Sequence, residues 1–108
     1  MTTLLPRAHA ARLAVAALLL ASPWALAQDA NLARNLAATC ANCHGTNGQA
    51  RGDMKPLAGM SADKIVALFT DYRSGAQPSS IMGQISKGYT DAQIKLVAGY
   101  FAAQPAKK

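Results

Sequence analysis

The chain has 108 residues, with eleven lysines and arginines against five aspartates and a formal net charge of +6. The basic residues are dispersed rather than clustered, which argues against a nucleic-acid-binding patch. No apolar run reaches the roughly 20 residues that span a bilayer, so no spanning helix is expected in the mature chain.

The first segment reads as a targeting peptide. Arg7 and Arg12 supply a basic start, Leu13 to Ala21 form an unbroken apolar run, and Ala25-Leu26-Ala27 is a small-x-small cleavage site before Gln28. Residues 1–27 are therefore expected to be a cleaved signal peptide, with 28–108 forming one small domain in the periplasm. Within 28–108, nine basic residues face five aspartates, leaving a net charge of +4. Such a balance can steer an acidic partner, although scattered lysines also suit an ordinary soluble surface.

Asp29 is a favourable N-cap, and a first helix is expected from there into Cys40-Ala41-Asn42-Cys43-His44. Leu32, Leu36 and Cys40 recur at i, i+4 and i+8 and define the face expected towards the core. Two cysteines three apart followed by histidine form the attachment pattern of c-type haem. Each thiol adds across a haem vinyl group to give a thioether, and the adjacent imidazole lies under the iron as its proximal ligand. A bare C-x-x-C also suits a structural disulfide, half a zinc site or a thioredoxin-like dithiol. Zinc would need further ligands, and His9, the remaining histidine, lies in the cleaved segment. A dithiol enzyme is expected beside a βαβ pattern, and the mature chain has no convincing strand pattern. Haem alone uses all three residues. With both cysteines so used, no disulfide framework remains, and the haem is expected to supply much of the core of so short a domain, leaving the apoprotein largely unfolded.

Gly45, Asn47 and Gly48 end this helix, and 46–59 shows neither helical nor strand period. A loop that long in a compact domain is usually functional, and wrapping a cofactor would account for it. Pro56 stands twelve residues after His44, where its carbonyl could accept the second ring N–H of a ligating histidine, with Leu57 packed beside it. By periodicity alone it is an ordinary loop proline.

Ser61 is expected to cap a second helix, Ala62 to Arg73, with Ile65, Leu68, Phe69 and Tyr72 at core spacing and Gly75 as its stop. Gln77 to Ser80 reads as a loop ending in Ile81-Met82-Gly83, with a short helical turn after it as far as Lys87. Thr90 or Asp91 caps a last helix to Gln104, with Ile94, Val97, Ala98 and Phe101 on its apolar face; Pro105 and the following lysines read as an exposed tail.

A methionine opposite histidine makes a haem iron six-coordinate and suited to electron transfer. Met54 lies two residues from Pro56 and is held on the proximal side if Pro56 supports the histidine, and Met60 adjoins the second helix as core filler. Met82 has an intervening helix to carry the chain to the distal face. An open iron site is the remaining possibility.

These features resemble the class I c-type cytochromes over essentially all of 28–108: CANCHG at 40–45, Pro56 with Leu57 and Gly59, Met82 in its loop, and GYFAAQ at 99–104. The resemblance implies an all-α fold, with three to five helices around one covalent haem c, and first and last helices crossing near Leu36, Gly99 and Tyr100. It implies His44 and Met82 as axial ligands to the iron, Pro56 behind His44, and thioethers at Cys40 and Cys43. The stretch SSIMGQISKGYTDAQIKLVAGYFAAQ is similar to the cytochrome subunit of flavocytochrome c sulfide dehydrogenases and to the cytochrome c4 and c553 groups. Many of those relatives carry two such domains in tandem, whereas this chain has one C-x-x-C-H and no internal repeat. The expected function is a periplasmic electron carrier that is not itself an enzyme, serving a donor and an acceptor protein. The alternative is a subunit that accepts electrons from a flavoprotein sulfide dehydrogenase. A haem sensor or peroxidase with open iron, and a dithiol oxidoreductase, are the other classes in play.

Overall fold

A computed structural model describes residues 31–106, which are helical with no strand among them. The expected signal segment, its cleavage site, the Asp29 cap and the last two lysines lie outside the described residues. No helix among the described residues is long and apolar enough to cross a membrane.

Helix α1 (Leu32–Ala37) tightens into a 3-10 turn at Ala38–Cys40 and resumes as the single turn α2 (Ala41–His44). The helical run thus does reach the C-x-x-C-H motif. Its core residue is Ala37 at 2 % exposure, with Leu36 and Cys40 partly buried beside it. Leu32, expected on that face, is 40 % exposed at the start of the helix.

Gly45 stops α2 with φ 77° and ψ 161°, a backbone combination open to little but glycine, and a Cβ there would collide with the Gln49 carbonyl. The stretch that follows is less irregular than its sequence suggests. A 3-10 turn at Thr46–Gly48 opens it, the Gly48 carbonyl accepts from both Leu57 N and Ala58 N at 3.0 and 3.2 Å, and Gly59 N donates to Phe101 O at 2.9 Å. Ala50 and Ala58 are buried beneath it.

Helix α3 (Ala62–Ser74) buries Ile65 and Phe69 and ends at Gly75 in the left-handed conformation. Ser61 holds the N-cap position, but its side chain makes no cap bond. Helix α4 (Ser80–Lys87) begins earlier than expected, so Met82 lies in its first turn and not in a loop. The cause is Ser79, whose Oγ accepts from Met82 N at 3.1 Å and so starts the helix. Helix α5 (Asp91–Ala102) opens with a reciprocal capping box: Gln93 N donates to Thr90 Oγ1 at 3.2 Å and Thr90 N donates to Gln93 Oε1 at 2.9 Å. It buries the four expected residues, Ile94, Val97, Ala98 and Phe101, and ends two residues before Gln104.

α5 packs most extensively on α1 and on α3, while α4 packs on α3. One buried apolar cluster results, drawn from Ala37, Ile65, Phe69 and the buried face of α5. Leu36 and Tyr100 are partly buried against it as the resemblance implies, but Gly99 is exposed and a Cβ there would meet only open space. Ala37 and Ala98 are the small residues these two helices bury, and Gly99 is not among them. Tyr89 ties the first and last parts of the chain together. Its hydroxyl donates to Leu36 O at 3.2 Å, lies 3.0 Å from Thr39 Oγ1, and its ring stands edge-on to Phe69. The C-terminal tail is pinned as far as Pro105, whose carbonyl accepts from Gln49 Nε2.

Candidate haem-attachment site

Both cysteines and the histidine sit on one helical run, so spacing along the chain becomes spacing around a helix. Cys40 and Cys43, three residues apart, share a face. Cys40 is partly buried against the core cluster and Cys43 is exposed; both are free thiols. Burial pushes the Cys40 thiol above its ordinary value, against the opposing pull of a hydrogen bond with Thr39. No group of three or more histidine, cysteine or acidic side chains able to hold a metal occurs among the described residues.

His44 Nδ1 lies 2.9 Å from the carbonyl of Lys55. A carbonyl oxygen only accepts, so Nδ1 carries a proton, and in the neutral ring Nε2 is the nitrogen with the lone pair. The expected acceptor was the carbonyl of Pro56; the acceptor is one residue earlier, and Pro56 itself is exposed. Proline restricts the residue before it to extended conformations, which limits how the Lys55 peptide can be presented to the ring. Nothing in the sequence singles out Lys55, because its contribution is a backbone oxygen, which carries no side-chain signal.

Donor chemistry fits a covalent haem: two free thiols on one face, with an adjacent imidazole already committed through Nδ1 and offering Nε2 as a ligand. An open cavity of ≈ 510 Å³ flanks this motif, lined by residues that include Asn42, Cys43, Gln49 and Arg51. Neither His44 nor Met82 lines it, so an axial pair does not meet there. Met82 is half-buried on α4, and α4 does not pack extensively on α2. Met60 packs on the core cluster, as expected of filler, and Met54 is 43 % exposed in the loop beside Lys55.

Comparison with known proteins decides the family. Cytochrome c-554(548) of Halomonas halodenitrificans is 32 % identical over 82 residues, covering 72 % of this chain and 99 % of that protein. The chain belongs to the class I c-type cytochromes. This cytochrome is also 38 % identical over 66 residues to the cytochrome subunit of sulfide dehydrogenase from Chlorobaculum tepidum, a match covering 61 % of this chain and 60 % of that subunit. The chain thus spans less than two thirds of the length of that relative. Among solved structures, cytochrome c4 of Acidithiobacillus ferrooxidans superposes with a TM-score of 0.60 at 31 % identity, covering 66 % of this chain and 48 % of that one. No family model matches the chain. Membership carries with it covalently bound haem c and a role in electron transfer.

Proposed function

We propose that this cytochrome is a periplasmic electron carrier that holds one haem c through Cys40 and Cys43, with His44 and Met82 as axial ligands. The observation that carries the reading is the 2.9 Å contact between His44 Nδ1 and Lys55 O, which leaves Nε2 as the available donor and fixes the ring. The haem, when bound, supplies one-electron exchange at its iron. The chain supplies the rest. Cys40 and Cys43 would tether the group, and His44 would present Nε2 to it, with the Lys55 carbonyl orienting the ring. Met82, in the first turn of α4, would offer a thioether from a separate element. Residues 1–27 act as the export signal that delivers the chain to the compartment of its partners, in keeping with their basic start, apolar run and small-x-small site.

The test is an optical spectrum of the purified protein, oxidised, then reduced, then exposed to carbon monoxide. The wild type is expected to keep its reduced spectrum under carbon monoxide, whereas Met82→Ala is expected to change on mixing. A wild-type spectrum that shifts at once would overturn Met82 as ligand and favour an open-iron sensor or peroxidase.

A second reading is favoured by the similarity to the Chlorobaculum tepidum subunit. In it the cytochrome is a fixed component of a sulfide dehydrogenase and takes electrons from a flavoprotein. Purification under native conditions separates the two: a flavoprotein held in constant ratio supports the subunit, and a cytochrome that elutes alone supports the free carrier.

A further inference from the structure

Helix α4 carries Met82 but contributes nothing to the apolar core: neither the buried cluster nor the half-buried residues packed on it include any residue of 80–87. Its fully buried residue is Ser86, whose hydroxyl turns back to the Gly83 carbonyl at 3.3 Å, while Ile81 and Ile85 are 66 % and 40 % exposed. Gly83 faces the Tyr72 carbonyl of α3, so small residues make this contact. Little hydrophobic free energy therefore holds α4 in place.

What holds it is polar. Ser79 only starts the helix, since its bond to Met82 N lies within the first turn of α4 itself. At the other end stands Arg73, in the last turn of α3. Its Nε donates to Ser86 O at 3.3 Å, its Nη2 to Tyr89 O at 2.8 Å, and its Nη1 to Asp91 Oδ1 at 2.7 Å. All three guanidinium nitrogens are engaged, and Ser86 O is one of the last-turn carbonyls that have no partner within their own helix. One side chain thus bolts together the end of α3, the end of α4 and the start of α5.

We infer that Arg73 is the positioning residue for Met82: its planar fork fixes the helix that presents the thioether, and so governs how readily that thioether leaves the iron. The inference rests on Met82 being the axial ligand. Lysine is a poor substitute, because one compact ammonium does not reproduce a rigid fork reaching two carbonyls and a carboxylate.

The test is a titration of the ferric holoprotein with imidazole, which competes with Met82, so that the apparent affinity follows the fraction of molecules with Met82 released. Arg73→Ala and Arg73→Lys are each expected to bind imidazole about tenfold more tightly than wild type, with helical circular dichroism unchanged. Asp91→Asn keeps both carbonyl bonds and is expected to change the affinity by less than about twofold, as for an exposed ion pair. In a Met82→Ala background, Arg73→Ala is expected to change nothing further. Equal affinities in wild type and the Arg73 variants overturn the inference, as does a gain that persists in the Met82→Ala background. If Arg73→Ala does not fold, Arg73→Lys decides. A wild-type ferric spectrum lacking the long-wavelength methionine-to-iron band overturns Met82 ligation and the inference with it; an intact band with unaltered affinities overturns the inference alone.

Discussion

An imidazole has two nitrogens, and in this cytochrome the Lys55 carbonyl takes one of them. That peptide reaches His44 because the chain turns back at Gly48, whose carbonyl collects Leu57 N and Ala58 N and closes the loop behind it. Gly48 has φ 74°, and a Cβ built on it would stand 2.8 Å from Ala58 N and 2.9 Å from Phe101 Cδ1. Gly48→Ala therefore adds left-handed strain to overpacking against backbone and a buried ring, and is expected to cost about 2–4 kcal/mol. A denaturant midpoint unchanged from wild type would refute that. At this scale the sequence is informative where chemistry is local. Cys40, Cys43 and His44 are legible because their spacing is itself the attachment pattern. The acceptor behind His44 is legible only to within one residue, because Pro56 marks the region while the oxygen belongs to Lys55.

Among the elements, apolar periodicity works where a helix buries an apolar face. It locates α3 through Ile65 and Phe69, and α5 through Ile94, Val97, Ala98 and Phe101. For α4 the reading finds the end at Lys87 but misses the start, for a definite reason. The buried side of α4 is made of Met82, Gly83 and Ser86, while Ile81 and Ile85, four apart, are both exposed, so the isoleucine spacing marks the outer side of the helix. The Pro78-Ser79-Ser80 stretch then reads as a loop, although Ser79 is the cap that starts the helix. The start at Ser79 moves Met82 from a loop into a first turn, where its backbone N–H is already spent on the cap. Met82, the proposed ligand, thus stands on an element whose C-terminal end is bonded by Arg73, and no local pattern reveals that link, because Arg73 bonds to residues 13 to 18 positions further along the chain.

For the whole molecule, the buried cluster is small: five large side chains, Ile65, Phe69, Ile94, Val97 and Phe101, with two alanines, Ala37 and Ala98. Domains below about 70–80 residues rarely draw more than about 3–5 kcal/mol from such a core without a staple. Both cysteines are free, so no disulfide supplies it. α4 adds no residue to the cluster, and Leu32, Met54, Ile81 and Ile85 are large apolar residues left exposed. A covalently tethered apolar macrocycle is the element that would complete this core, and binding free energy spent that way is folding free energy. Removing the tether should therefore remove the fold. Cys40→Ala with Cys43→Ala, made without haem, is expected to give weak helical circular dichroism and no cooperative thermal transition, whereas the wild-type holoprotein is expected to give strong helical dichroism and a cooperative transition. A double variant that melts cooperatively with native-like helicity would show that α1, α3 and α5 hold together by themselves, and that the haem is attached to a finished fold instead of helping to make it.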